Sequence, residues 1–255
     1  MRNIWSVAKK ELRLYFTSPV AYVVIAVFLF IWGFFFTSII RWFSAQSLQM
    51  AQNPYYYQQM NINEMVFAPL LHNITIFFLF LLPALTMRLF SEEKKLGTEE
   101  LLYTSPVSVT EIILGKYLAS LLMLLIMLGL SALACVFAFV HGNPELLPLL
   151  NGYLGLILMG AAFLAIGLFF SSLTENQVIA VILSIGTLLL LYVLNWAAFS
   201  ATGMWSYILN YISFFQHFED MSKGILDTGD VVYYLSVSFV ALFLTHSVIE
   251  SRRWR

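Results

Sequence analysis

The side chains that could carry out chemistry in this sequence are few and far apart. Gly129-x-Ser131 and a distant His246 supply the residue types of a serine nucleophile and its base, which must come within hydrogen-bonding distance to react. Ser131 follows Lys116 by about 15 residues, or about 22 Å of helix, whereas His246 lies about 6 Å from the same membrane face. We therefore expect Ser131 to be a helix-packing residue and His246 an interfacial one.

Metal ligands are also sparse. A soft cation such as copper favours thioether sulfur, but methionine is an ordinary packing residue as well and the spacing here is irregular. The three candidates in the first long connection are Met50, Met60 and Met65. His217, close to Glu219 and Asp220, could bind a hard metal ion, although a solvated external turn is the favoured interpretation. The single cysteine, Cys135, excludes a disulfide within the chain and a CxxC motif.

Several sources of energy for a membrane process are missing from the sequence. It contains no GxxxxGK[ST] phosphate-binding loop, so this chain cannot hydrolyse ATP by that route. Charged residues lie outside the long apolar runs or at their edges, whereas ion-coupled carriers usually place ionisable groups inside their spans. An ion-coupled carrier is therefore only a minor alternative, and the energy for any transport must come from elsewhere.

Six apolar runs dominate the chain, and hydrophobic residues make up 60% of it. Each run is long enough to cross about 30 Å of hydrocarbon as a helix, in which every backbone polar group is satisfied within its own segment. The sequence therefore predicts an all-α integral membrane protein, a single domain over residues 1–255. The six predicted spans are Val20–Ile40, Leu70–Leu89, Tyr117–Val140, Leu149–Phe170, Val178–Phe199 and Val231–Ile249.

The basic residues indicate the orientation of these spans. If both termini are cytoplasmic, 11 of the 13 lysines and arginines lie on the cytoplasmic side, and only Arg41 and Lys223 lie outside. Because basic residues concentrate on the cytoplasmic side, this orientation is the favoured one. We expect a multi-pass protein of the inner membrane, with the lipid bilayer as one partner and no nucleic-acid partner.

The first residues of the chain form an amphipathic pattern rather than a cleavable signal peptide. One stripe of a helix over residues 2–16 collects Ile4, Ala8, Leu12, Tyr15 and Phe16, while the lysines point elsewhere. The pattern predicts an N-terminal interfacial helix within residues 1–19, which either anchors the chain to the membrane surface or contacts a partner. Ser18-Pro19 is then the cap and first turn of the first span.

The connection between spans two and three carries the strongest local signals. Pro83 removes a backbone hydrogen bond inside span two and predicts a kink, which is either a hinge or a structural bend. Ser91 is predicted to cap a short helix with Glu92 and Glu93 in its first turn, and Gly97 is predicted to end that helix.

A second short helix is predicted to follow, with Thr98 as its cap and Glu99 and Glu100 in its first turn. Leu101 and Leu102 would supply an apolar contact, and Pro106 would end the segment. Ser108-Val109-Thr110-Glu111 is a capping box for the third long helix. Such a well-capped segment, over residues 90–111, is suited to transmitting force to or from a cytoplasmic partner.

Two further patterns concern the fourth span. Thr174-Glu175-Asn176-Gln177 matches a capping box in the turn that follows it. Small residues within the span allow other helices to approach closely, either inside one subunit, which is favoured, or across a dimer interface. They are Gly152, Gly155, Gly160, Ala161 and Ala165.

SEEKKLGTEELLYTSPVSVTEIILGKYLA, residues 91–119, resembles the cytoplasmic signature segment of type-2 ABC transporter permeases. In that family an acidic stretch, a Gly-Thr, a Leu-Leu pair and a proline precede a Gly-Lys that opens the third span. The likeness continues through KKELRLYFTSPVAYVV, LPALTMRLFSEEK, SSLTENQVIAV and QHFEDMSKGILDTGDVVYYLS, and is greatest to the gliding-motility branch.

The resemblance implies a six-helix type-2 ABC exporter permease fold that functions as a dimer, or as a pair of related permeases. ATP and magnesium would then be bound by a separate ATPase subunit, so this chain needs no cofactor and is not itself an enzyme. A coupling helix that docks on the ATPase would fall on Glu92–Leu102. The matching residues are Glu92, Glu93, Gly97, Thr98, Glu100 and Leu101.

Two other parts of the family fold also map onto this sequence. The interfacial helix corresponds to Ile4–Phe16, and re-entrant external segments correspond to Trp205–Leu226, within residues 200–230. The function that follows is ATP-driven export of an unidentified substrate. The alternative is a membrane anchor that transmits ATPase motion in a motility or envelope-assembly machine and transports nothing, since a fold alone does not prove transport.

Overall fold

The computed structural model describes residues 2–50, 61–98, 107–200 and 203–253, and these are almost entirely helical. The described part contains ten α-helices and one short π-helix, Asn63–Phe67, and no strand. The α-helices, in chain order, are α1 (Arg2–Thr17), α2 (Pro19–Met50), α3 (Ala68–Thr86), α4 (Arg88–Lys95), α5 (Val109–His141), α6 (Leu146–Leu173), α7 (Gln177–Ser200), α8 (Met204–Ile212), α9 (Phe214–Ser222) and α10 (Thr228–Arg253).

Six helical segments in the described ranges are long and apolar enough to cross a membrane. They are α2, the continuous segment from the π-helix through α3 and α4, and then α5, α6, α7 and α10. The predicted all-α fold with six spans is thus confirmed. Several helices extend beyond the predicted apolar runs, because polar residues at their ends continue the helical backbone.

Helix α6 is the central element of the fold, and α3, α5, α7, α9 and α10 all pack against it. Its glycines allow this close approach. A Cβ added to Gly152 would lie 2.3 Å from Leu71 Cδ1 of α3, and one added to Gly160 would lie 2.6 Å from Leu124 Cδ2 of α5. The small residues at these two positions therefore serve packing within the chain, as the sequence favoured.

Helix α1 lies against α5, and its buried face differs from the predicted stripe. Ala8 and Tyr15 are buried as predicted, but Phe16 is 36% exposed. Glu11, which is not part of the predicted stripe, is buried instead, because its carboxylate pairs with Lys116 of α5. The predicted start of α2 is confirmed, since the Val20 N–H donates to Ser18 Oγ at 3.4 Å.

The two predicted capping boxes have different outcomes. The box that opens α5 is confirmed, because the Glu111 N–H donates to Ser108 Oγ at 3.2 Å and the Ser108 N–H donates to the Glu111 carboxylate at 3.1 Å. The prediction of a capping box at Thr174 is wrong. Asn176 is the residue before α7, and its Oδ1 accepts from the Val178 N–H at 2.9 Å. An amide this close to the first turn satisfies the free N–H directly.

The predicted re-entrant region is occupied by the two short helices α8 and α9. Helix α9 packs against α6 and α3 through buried Phe215 and Phe218. A turn at Gly224, with φ of +90°, leads towards α10, and the Gly229 N–H donates to Asp227 Oδ1 at 2.9 Å. The interpretation of His217 as part of a solvated turn is wrong: it lies in α9, and its side chain is only 13% exposed because it pairs with Asp230 of α10.

Candidate coupling site

The second span is interrupted where it leaves the helix bundle. Helix α3 passes through Pro83 without a break and ends at Thr86, and α4 begins at Arg88. The Met87 N–H still donates to the Pro83 carbonyl at 2.9 Å, so the two helices follow each other almost directly. The interruption therefore lies at Met87 rather than at Pro83, and a hinge at Pro83 stays a prediction.

Ser171, at the end of α6, satisfies the backbone groups exposed by this interruption. Its Oγ accepts from the Phe90 N–H at 3.1 Å and from the Ser91 N–H at 3.3 Å, and donates to the Met87 carbonyl at 2.8 Å. The first N–H groups of a helix lack partners within the helix, so a side chain of another helix caps α4. The prediction that Ser91 caps this helix is wrong, because Ser91 lies inside α4 and its buried hydroxyl donates to Met87.

The other end of α4 is also attached to α6. Lys94 is 8% exposed, and its ammonium group donates to the backbone carbonyl of Ser172. Ser172 lies in the last turn of α6, where free carbonyls carry a partial negative charge and favour a cation. Helix α4 is thus held by α6 at both ends.

A buried ion cluster joins α4 to α1 and α5. Lys116 of α5 has a side chain that is only 1% exposed. Its Nζ lies 2.9 Å from Glu11 Oε1 of α1 and 2.8 Å from Glu93 Oε2 of α4, and it also donates to the Leu89 carbonyl at 2.6 Å. Lys10 of α1 lies 3.0 Å from Glu93 Oε1. Since lysine is rarely buried unless it is paired, the cluster fixes these three helices relative to one another.

Two groups on α1 beside the cluster, Lys10 and Tyr15, have shifted pKa values. Burial lowers the pKa of Lys10, but the carboxylate of Glu93 outweighs it, so the net pKa is raised and Lys10 stays charged at neutral pH. Burial raises the pKa of Tyr15, so its phenol stays neutral and donates to the Leu85 carbonyl at 2.7 Å. The guanidinium group of Arg88 lies over the Tyr15 ring, 4.5 Å from its centre.

Gly97 ends α4 in a Schellman motif, as the sequence predicted for this position. The Gly97 N–H donates to the Lys94 carbonyl at 3.1 Å, and the Thr98 N–H donates to the Glu93 carbonyl at 3.0 Å. The backbone of Gly97 has φ of +68°, a conformation that other residues rarely adopt. The predicted second helix, with Glu100 and Leu101, falls at residues 99–106, outside the described residues.

The predicted coupling residues thus divide into two groups. Glu92 and Gly97 are exposed, and so is the adjacent Leu96, whose exposed fraction is 67%. Glu93 instead faces inward and binds Lys116. A cavity of about 500 Å³ separates α1 from α4, and Glu92, Leu96 and Leu14 lie on its border. With respect to the described residues, the outer face of α4 is exposed, while its inner face is attached to the bundle.

The residues that attach α4 to the bundle were not identified from the sequence. Two signals were present: Glu11 interrupts the apolar stripe of α1, and Lys116 lies eight residues inside the helix capped by Ser108. A carboxylate on an otherwise apolar face and a lysine beyond a helix cap together indicate a buried pair. Ser171 carried no such signal, since serine pairs are common in helices.

The sequence matches the family described as ABC-2 family transporter protein over residues 5–249, which is nearly the whole chain. The chain belongs to the ABC-2 transporter family. No curated protein matches the sequence. As an ABC-2 permease the chain is a membrane transport component, and its six spans fit that assignment.

The other candidate sites do not assemble. In the described ranges, no group of three or more His, Cys, Asp and Glu residues is placed to bind a metal ion. Met60, of the methionine candidates, lies outside the described residues. The Ser131 hydroxyl donates to the Leu128 carbonyl at 2.8 Å and contacts the Tyr153 hydroxyl at 3.1 Å, in keeping with a packing role. His246 contacts Glu250 of its own helix at 3.3 Å.

Proposed function

We propose that this ABC-2 permease is the transmembrane subunit of an ATP-driven exporter, and that α4 couples it to a separate ATPase subunit. The observation that carries this proposal is that the two faces of α4 have different environments. Its inner face is bound to α1, α5 and α6 through Lys116, Ser171 and Lys94, whereas its outer face exposes Glu92 and Leu96. A helix held in this way passes a displacement to three other helices at once.

The exposed side chains of α4 indicate which chemical groups a binding partner would need. Leu96 offers an exposed apolar side chain at the end of the helix, and Glu92 offers a carboxylate beside it. A complementary surface would carry an apolar depression next to a basic group. We assign this surface to the ATPase, which binds ATP and magnesium, so this chain holds no cofactor.

The proposed orientation places both termini and α4 in the cytoplasm of a cell with the protein in its inner membrane. This orientation is supported by the basic residues, because 11 of the 13 lysines and arginines lie in the segments that it places in the cytoplasm. A second permease copy or a related permease would complete the transporter. The sequence likeness to the gliding-motility branch makes a role in motility or envelope assembly the alternative, and no contact in the described residues favours it.

Charge reversal on the exposed face of α4 tests the coupling. The Glu92→Arg variant should reduce co-purification of the ATPase and the ATPase activity of the complex, because it alters a surface contact without touching the buried cluster. Asp220→Arg is the matched control, since Asp220 is an exposed carboxylate at the opposite end of α6 and should leave both readouts unchanged. If Glu92→Arg and Asp220→Arg both leave assembly and activity at the wild-type level, α4 is not the coupling element.

Reconstitution of the complex in liposomes distinguishes the exporter hypothesis from the anchor hypothesis. With the ATPase bound in liposomes, an exporter should show an ATPase rate that rises with its substrate and ATP-dependent movement of that substrate. A complex that hydrolyses ATP at a rate insensitive to every solute, but binds other envelope proteins stably, would support the anchor instead.

A further inference from the structure

The joint between α8 and α9 packs beside Phe163 of α6, whose ring centre lies 5.4 Å from that of Phe214, and α10 supplies hydrogen-bond donors to the joint. The helices meet at Ser213, and the end of a helix leaves backbone carbonyls without partners. The Tyr233 hydroxyl donates to the Ile212 carbonyl at 2.5 Å, and the Tyr234 hydroxyl donates to the Phe214 carbonyl at 2.6 Å. Two consecutive tyrosines of α10 thus hold the joint.

His217 caps a third carbonyl of the same joint and also binds α10. Its Nε2 lies 2.9 Å from the Tyr211 carbonyl oxygen, and its Nδ1 lies 2.6 Å from Asp230 Oδ1. The ring stacks on Tyr233 with 4.1 Å between ring centres. The imidazole is therefore fixed in orientation, and both of its nitrogens are in contact with oxygen atoms.

The hydrogen count of these two contacts requires an extra proton. A carbonyl oxygen can only accept, so Nε2 must carry a hydrogen and donate it to Tyr211. A contact of 2.6 Å between Nδ1 and a carboxyl oxygen also needs a hydrogen between the two atoms. A neutral imidazole has one hydrogen, which Nε2 uses, so the second one is a proton held jointly by His217 and Asp230.

The surroundings of Asp230 favour this shared proton. Asp230 is 8% exposed, and its Oδ2 is buried without a hydrogen-bond partner in the described part of the chain. A buried carboxylate oxygen that lacks a donor is costly while the group is fully charged, and a proton between Oδ1 and Nδ1 reduces that cost. The pair is thus a built site, fixed by a carbonyl, a stacked ring and a carboxylate.

Other titratable groups near the site do not supply this proton. Tyr211 of α8 and Tyr233 and Tyr234 of α10 face His217 through their rings. On α9 itself, Glu219 pairs with Lys223 at 2.7 Å. From the other elements packed on α9, His72 of α3 and Tyr192 of α7 face Phe215 instead.

We propose that His217 and Asp230 form a single-proton binding site that locks the α8–α9 hairpin onto α10. With the proton bound, Nδ1 and Oδ1 attract and Nε2 caps Tyr211. When the proton leaves, the bare Nδ1 lone pair faces the carboxylate, and the two repel, so the hairpin loosens from α10. The proton is transferred to water, and no other reactant is needed.

The site also borders an apolar groove to which two of its tyrosines contribute. Tyr211 and Tyr233 line a cavity of about 450 Å³ between α6, α7 and α10. Release of the hairpin therefore changes the end of this cavity that lies farthest from α4. The proposal does not depend on the ATPase, because it concerns only contacts within this chain.

Hydrogen exchange of the full-length protein in lipid nanodiscs tests the site. Protection factors for amides of α9, corrected for the intrinsic pH dependence of exchange, are measured from about pH 5 to 9, the range in which histidine titrates. If opening requires loss of one proton, the protection of the wild type should fall as the pH rises, by up to about tenfold per pH unit. The Asp230→Asn variant should show no such slope, since its amide N–H₂ can donate to a neutral Nδ1 at every pH.

The control variant is His246→Gln, which removes the other histidine–carboxylate contact of α10 and should keep the wild-type slope. Histidine-selective ¹⁵N labelling provides a second readout in the wild type alone, in which both nitrogens of His217 should carry hydrogen at low pH. A flat pH profile in the wild type, an unchanged slope in Asp230→Asn, or a His217 ring that stays singly protonated throughout would overturn the proposal.

Discussion

Replacing Lys116 with methionine tests whether the buried ion cluster holds α4 in place. Methionine has a similar length but no charge, so the substitution removes the buried cation that Glu11 and Glu93 share. Only the half-exposed Lys10 then remains near both carboxylates, 3.0 Å from Glu93 and 3.8 Å from Glu11. An oxygen of each carboxylate lies within 3 Å of the Lys116 ammonium group, which places the two oxygens no more than about 6 Å apart. Their side chains are 8% and 16% exposed, so water replaces the lost partner poorly.

The expected cost is a substantial fraction of the stability of a typical domain, which is about 5–15 kcal/mol. Removing one partner of a buried ion pair costs about 3–5 kcal/mol, and the remaining contact with Lys10 places the loss here near the lower end of that range. Two carboxylates about 6 Å apart repel each other by about 3 kcal/mol at an effective dielectric constant near 20, which is the same order. For a chain of this size, that loss lowers the melting temperature by about 10 °C.

Thermal unfolding in nanodiscs, followed by circular dichroism, measures this loss. Lys95→Met is the matched control, because Lys95 lies in α4, which the cluster holds, but is exposed, so its replacement should leave the melting temperature unchanged. Adding Glu11→Gln and Glu93→Gln to Lys116→Met removes the two carboxylates that repel each other and should restore most of the stability. A Lys116→Met protein that melts at the wild-type temperature, or a triple variant that melts even lower, would refute the reasoning.

Three further substitutions test single contacts. Ser171→Ala should cost about 1–3 kcal/mol and speed hydrogen exchange in the first turn of α4, because it removes three hydrogen bonds at the helix joint; unchanged exchange there would contradict the capping role. Ser108→Ala should destabilise the protein by about 1 kcal/mol in thermal unfolding, and Ser108→Gly by only a few tenths; equal losses would argue against a cap. Gly167→Ala should cost about 1–3 kcal/mol, because its Cβ would lie 2.1 Å from Thr86 Oγ1, whereas Gly186→Ala, with open space around it, should be neutral.

Features that depend on neighbouring residues were predicted correctly from the sequence. The six spans follow from the length and apolarity of each run, which a bilayer dictates almost alone. The Ser108 box and the end of α4 at Gly97 follow from backbone groups that must be satisfied within a few residues. In both cases the physical cause lies inside the predicted segment.

Features that depend on distant residues were missed. Glu11 and Lys116 are 105 residues apart, and neither reveals its partner locally. Helix α4 is capped by Ser171 from another helix, which is why the local candidate, Ser91, was wrong. The same limit applies to His217, whose short distance to the acidic residues of α9 suggested a solvated turn while its partner is Asp230 of α10.

Two attachments therefore define what this ABC-2 permease can transmit. At one end, Lys116, Lys94 and Ser171 hold α4 against three helices. Elsewhere in the bundle, the α8–α9 hairpin is held on α10 by side chains that bind its carbonyls. Helix α6 contacts both α4 and α9 and is the most buried of the six spans, so we expect a displacement of α4 to reach the hairpin through α6.

Site-directed photo-crosslinking measures the central claim most directly. A photoreactive residue replaces Leu96 on the exposed end of α4, and, in a separate control, Leu226 beyond α9; these side chains are 67% and 50% exposed. The full-length chain is expressed with its ATPase and irradiated in membranes, and the adducts are identified by mass. The account predicts an ATPase adduct from position 96 that changes in yield with ATP, and none from position 226. An ATPase adduct from position 226 but not from position 96 would contradict the assignment of α4 as the coupling helix.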